Sequence, residues 1–168
     1  MIESLIYFNE NGEEAAVNYE PDSTQTHLHG FSRGVKWKQS NKQVSFFEKN
    51  IIISAFPCIT KPYVILIYNG FISFAKEDNY TRVVDYNGKL VKQINLPDLR
   101  SAIADKYKLE GKGCRIRDVR REKTEQGVIA TLTVQCVLRN GWLDIYEKCL
   151  FDEEKLEAGD LINAWEEP

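Results

Sequence analysis

The sequence predicts an α+β fold that is mainly antiparallel β, a meander sandwich or partly closed barrel, with one central amphipathic helix and a short helical C-terminus. Three observations lead there. Turn-forming residues recur at short spacing through the first half of the chain, as an antiparallel meander requires. After Leu96-Pro97 the apolar period changes from that of a strand to that of a helix. Between Val128 and Leu138, Val128, Ala130, Leu132, Val134, Cys136 and Leu138 alternate with Ile129, Thr131, Thr133 and Gln135, the period of a sheet with one buried face.

At 168 residues the chain is expected to form one domain, with a hairpin-rich β part over 1–96, a helix over 97–111, a three-strand meander over 112–151 and an acidic helical tail over 152–168. Hydrophobic residues at 43% and charged residues at 28% suffice for a packed core.

The elements follow in order. Leu5 to Phe8 and Ala15 to Tyr19 flank Asn9-Glu10-Asn11-Gly12, where Asn and Gly supply the positive φ of a hairpin turn. A second hairpin is expected from Val44–Phe47 through Lys49-Asn50 into Ile51–Phe56. A third runs from Tyr63–Tyr68 across Asn69-Gly70 into Phe71–Phe74, and a fourth from Tyr80–Asp85 across Asn87-Gly88 into Lys89–Leu96. Glu20 to Gly34 is polar and lacks either period, so it reads as an exposed loop. Leu99, Ala102, Ile103 and Tyr107 fall on one helical face, with Asp98 as N-cap and Gly111 as stop, giving a helix of about three turns. Arg115–Arg121, Val128–Leu138 and Trp142–Phe151 then form the meander. In the tail, Leu156, Leu161, Ile162 and Trp165 are spaced to dock one or two helical turns on the sheet, broken at Gly159.

The longest apolar runs, Ile51–Phe56 and Tyr63–Tyr68, fall far short of the roughly 20 residues needed to cross hydrocarbon as a helix, so no membrane association is expected. Met1-Ile2-Glu3 opens without a basic flank or apolar leader, which points to a cytoplasmic protein. Cys58, Cys114, Cys136 and Cys149 form no Cys-x-x-Cys and read as core-packing thiols.

Chemistry is sparsely marked. His27 and His29 would share one face of an extended segment and could hold a metal or act as an acid/base pair, but no third ligand is identifiable, and the simpler reading is a pair of loop residues. Cys58, at a bend between strands, would need a histidine beside it to act as a nucleophile. No phosphate-loop, dinucleotide or nucleophile-elbow pattern is present, so no cofactor is expected.

Charge is uneven although the net is −3. Lys106–Lys123 carries eight Lys or Arg against three acids, a local +5, and Arg115, Arg117 and Arg121 share one strand side where RNA phosphates could bind. The acidic balance of the whole chain makes nucleic acid the weaker expectation. Asp144–Pro168 carries nine Asp or Glu against two Lys, a local −7, interleaved with aromatic rings. Charge of one sign steers an opposite partner and rings supply anchors. The expected contact residues are Trp142, Asp144, Tyr146, Asp152, Glu153, Glu154, Glu157, Asp160 and Trp165. The expected activity is non-enzymatic capture of a basic protein, possible partners including a nuclease toxin. Bacterial toxin-immunity proteins offer an analogy of size, charge and missing motifs. A small-molecule barrel or metal-dependent enzyme using the His27/His29 loop is the alternative, and RNA binding through Arg115–Arg121 is the third reading.

Overall fold

The computed structural model describes residues 2–17, 31–70, 81–110, 113–138 and 143–168. Among them the chain forms three four-stranded sheets, all of whose pairings are antiparallel. The first sheet takes β1 (Ser4–Phe8), β2 (Glu14–Ala16), β3 (Gly34–Gln39) and β4 (Lys42–Phe47) in the order β2-β1-β3-β4. The middle sheet is a meander of β5 (Ile51–Pro57), β6 (Tyr63–Gly70), β7 (Thr81–Asp85) and β8 (Leu90–Ile94). The last sheet is a second meander of β9 (Cys114–Thr124), β10 (Gly127–Val137), β11 (Asp144–Asp152) and β12 (Glu157–Glu167).

The middle sheet lies between the other two, and β6 shows why. Val64, Ile65, Leu66 and Ile67 are all buried, where a one-faced strand would alternate. Val64, Leu66 and Tyr68 pack with Leu5, Val35, Trp37 and Val44 of the first sheet. Ile65 and Ile67 point the other way, into a core with Ile116, Leu132, Val134 and Ile145 of the last sheet. Each such burial stabilises by roughly 1.5–3 kcal/mol, so the two faces of this one strand tie the three layers together.

Polar contacts fix the first join. Ser32 Oγ donates to Ile53 O at 2.6 Å, and Trp37 Nε1 donates to Tyr86 O at 2.8 Å. Gly34 lies between Phe8 and Phe47 on neighbouring strands, whose rings stack 6.0 Å apart. A Cβ at Gly34 would come within 2.2 Å of the Phe8 ring and 2.6 Å of the Phe46 carbonyl, so glycine is required by the close approach.

The helical content is smaller than the sequence predicts, and the α+β assignment is replaced by a β architecture with one short helix among the described residues. Helix α1 spans Ala102–Tyr107, six residues rather than the expected 97–111. Ser101, not Asp98, is its N-cap, its side chain accepting from Ala104 N at 3.0 Å. The Glu147 carboxylate of β11 holds the preceding amides, accepting from Arg100 N at 3.0 Å and Ser101 N at 2.8 Å, so a tertiary contact sets where the helix starts. Lys108 ends it in the left-handed conformation, φ 53°.

The expected helical tail over 152–168 is the eleven-residue strand β12. It pairs with β11 from Asp144↔Glu167 to Asp152↔Glu157, with register shifts at Lys148/Cys149 and Cys149/Phe151. These bulges break the strict alternation and leave Leu161, Ile162 and Trp165 at a spacing that imitates a helix. Two turn assignments also change. Asn69 and Gly70 lie within β6, paired with Ile52 and Ile51, and the expected strand Phe71–Phe74 lies outside the described residues. β4 and β5, expected as one hairpin, belong to different sheets.

Cys114 and Cys136 face each other across β9 and β10 and form a disulfide, whereas Cys58 and Cys149 are free and buried. The sequence reading of Cys114 and Cys136 as core thiols holds for their location but not for their chemistry. Among the described residues, no helix is long and apolar enough to cross a membrane.

Candidate functional site

The acidic end of the chain forms one side of the last sheet, and its carboxylates divide into two groups. The first group closes the turn between β11 and β12 onto the turn between β5 and β6. Asp152 shapes its own turn, accepting from Glu154 N at 2.9 Å and Lys155 N at 3.0 Å, and these bonds hold its carboxyl below the usual range. Glu153 reaches inward: it takes Arg121 Nη2 at 3.0 Å and Ile59 N at 2.9 Å. Arg121 is itself buried, donates to Pro57 O at 2.9 Å and lies 4.4 Å from the centre of the Phe56 ring. Glu154 meets Lys61 at 3.6 Å, and Glu157 meets Lys92 at 3.1 Å. Four residues expected to contact a partner thus make contacts within the chain, and Glu153 does so as half of a buried ion pair.

The second group lies along the far part of β12. Asp160, Glu166 and Glu167 are exposed, and Asp160 makes no ion pair among the described residues. Glu166 takes Lys106 at 2.9 Å, and Glu167 accepts from Trp165 Nε1 at 2.9 Å. Trp165 stacks on Tyr146, its cross-strand partner, at 5.0 Å between ring centres. Tyr146 is buried and Trp165 half-buried, so Tyr146 supports the indole rather than offering a contact surface itself.

Tyr146 is in turn held by a polar row across the sheet. Its hydroxyl takes Arg117 Nη1 at 2.7 Å and Gln135 Nε2 at 3.2 Å, and Gln135 Nε2 also donates to Asp144 at 2.6 Å. Arg115 donates to Gln135 Oε1 at 2.8 Å. Burial, and then the neighbouring Arg117, lower the Arg115 pKa, opposed by Asp144. The basic stretch therefore splits: Arg115 and Arg117 stay on this outer face, Arg120 pairs with Asp118, and Arg121 turns into the core, away from any phosphate. Gln135 lies on a strand whose alternation is plain in the sequence, but its meeting with Arg115 and Tyr146 is a matter of register, which local pattern does not record.

Trp142, His27 and His29 lie outside the described residues. Among the described residues, no group of three or more metal-ligating side chains occurs. Burial first, and Glu153 next, push the Cys58 thiol up to about 12, so a thiolate nucleophile there is scarce at neutral pH. Comparison with known proteins finds no matching family model, no matching curated protein and no matching solved structure.

Proposed function

We propose that this chain is a non-enzymatic protein-binding module that captures a basic partner along β12, and more finely that it is an inhibitor of the immunity type directed at a basic nuclease toxin. One observation carries the reading. An eleven-residue edge strand exposes Asp160, which makes no ion pair among the described residues, and Glu167, which accepts from Trp165, beside an indole braced by Tyr146, while Glu154, Glu157 and Glu166 each already meet a lysine. At roughly 3.3 Å per residue the strand spreads its carboxylates over about 30 Å, and those without a lysine leave a net negative charge that can steer a cationic surface, while a braced ring loses little freedom when it is covered. The cytoplasmic address expected from the sequence belongs to the same proposal. The Cys114–Cys136 bond weighs against it, because structural disulfides persist in oxidising compartments.

The test is affinity capture from the native lysate with elution in salt steps, comparing the chain with its Glu157→Gln/Asp160→Asn/Glu167→Gln variant. The expected result is one basic protein held in near-stoichiometric amount by the unaltered chain and released at lower salt by the variant. Capture of the same set of proteins by both, or of an acidic protein alone, would overturn the reading.

A further inference from the structure

The first and middle sheets leave a cleft between them, formed by residues 2–5 entering β1 and the β5–β6 turn, residues 57–62, with Tyr86. Its volume is about 540 Å³, within the range of small-ligand sites. One wall is fixed in advance. Arg121 Nη2 donates to Pro57 O at 2.9 Å, Cys58 N to Tyr63 O at 2.9 Å, Ile59 N to Glu153 at 2.9 Å and Lys61 Nζ to Glu154 O at 2.7 Å. The β5–β6 turn is therefore held from both the middle and the last sheets.

Hydrocarbon and polar groups share the lining, which holds one acid, Glu3, and one base, Lys61. Ile2, Leu5 and Pro57 supply hydrocarbon, and Ile59 stands 70% exposed. Lys61 is already turned to Glu154, its ammonium 3.6 Å from that carboxylate. Glu3 is exposed and makes no ion pair among the described residues. A trough of mixed lining, with hydrocarbon along one part and an unpaired carboxylate at another, fits a side chain that is aliphatic along its stem and cationic at its tip.

We propose that this cleft receives a lysine or arginine side chain of the basic partner, its stem against Ile2, Leu5 and Ile59 and its charged head on the Glu3 carboxylate. The inference rests on the reading that the partner is basic. It places a second contact beside the β11–β12 turn, whose Glu154 neighbours the cleft through Lys61. Charge along β12 then governs approach, and the cleft governs which side chain is held.

The experiment is an NMR titration of the full chain with a blocked pentapeptide Gly-Ser-Arg-Ser-Gly and its Lys, Gln and norleucine counterparts. The Arg and Lys peptides should shift signals of residues 2–5, 57–62 and 86 together. The Gln and norleucine peptides should bind at least about fivefold more weakly, and Glu3→Gln should weaken the Arg peptide about three- to fivefold, as loss of an exposed ion pair allows. Equal binding of the norleucine peptide would make the cleft a site for apolar matter and overturn the proposal, as would an indifferent Glu3→Gln or no shift at the cleft. Shifts confined to 160–167 would remove the cleft and leave the basic-partner reading standing. Capture of an acidic partner by the unaltered chain would remove that reading even if the Arg peptide fills the cleft.

Discussion

The two ends of β12 are built from the same acidic residues and do different work. At the near end, Glu153 in the turn is nearly enclosed, its side chain 13% exposed, and faces Arg121, 3% exposed, across 3.0 Å. At the far end, the carboxylates stay at the surface: Glu166 meets Lys106 at 2.9 Å and Glu167 accepts from Trp165, while Asp160 makes no ion pair among the described residues. The near end joins the last sheet to the middle one; among the described residues, the far end makes only surface contacts within its own sheet and with α1. A run of acid in a sequence is therefore not a surface. Which face each residue takes, and what lies opposite, decides whether its charge is used in folding or remains for a partner.

The largest expected effect separates the ends directly. Glu153→Ala removes the carboxylate paired with the buried Arg121 and should cost about 3–5 kcal/mol of folding stability, measured by denaturant unfolding, because a buried pair broken on one side leaves a charge away from water. A loss below about 1 kcal/mol would mean that the turn is wetter than its exposure indicates. The same enclosure acts on Cys58. With its thiol pushed from 9.0 to about 12, the thiolate population at pH 8 should be about a thousandfold below that of an unperturbed thiol, and alkylation by iodoacetamide correspondingly slow. Between pH 9 and about 12 the folded chain keeps a proton that the unfolded chain has released, so this group's contribution to stability falls as pH rises through that window.

The middle effect belongs to the far end. Trp165→Ala removes a ring stacked at 5.0 Å on Tyr146 and should cost about 1 kcal/mol, read as a modest shift of the unfolding midpoint. A cost as large as that of Glu153→Ala would make the indole a core residue and erase the distinction drawn above.

The sequence made some of this legible and hid the rest for identifiable reasons. The antiparallel character, the β9–β10–β11 meander and the turns near Gly12 and Gly88 are legible because alternation and positive φ are local properties; those glycines have φ of 80° and 84°. β12 imitates a helix in sequence because two bulges shift its register, and α1 is shorter than its apolar period implies because the carboxylate that fixes its start comes from Glu147, 46 residues away in sequence. Gly34–Gln39 is not legible as a strand from local pattern, because one of its partners, β1, lies more than 25 residues earlier in the chain. In the site, Asp160 and Trp165 could be proposed from composition, but the inward turn of Glu153 could not. Its partners Ile59 and Arg121 lie 94 and 32 residues away, and no local pattern records such a meeting.

The smallest effect on stability carries the most functional content. Glu157→Gln, Asp160→Asn and Glu167→Gln together should change folding stability by no more than about 0.5 kcal/mol, since exposed carboxylates contribute little to the folded state. Against a basic partner, the same variant should associate about tenfold more slowly at low salt and show a flatter dependence on ionic strength, while its dissociation rate changes less, because charge at a distance guides encounter rather than residence. Stopped-flow association at several salt concentrations separates these quantities. If dissociation quickens instead and the salt slope is unchanged, these carboxylates are buried contacts in the complex rather than a steering charge, and the exposed and enclosed acids of this end of the chain differ in what covers them rather than in whether they are covered.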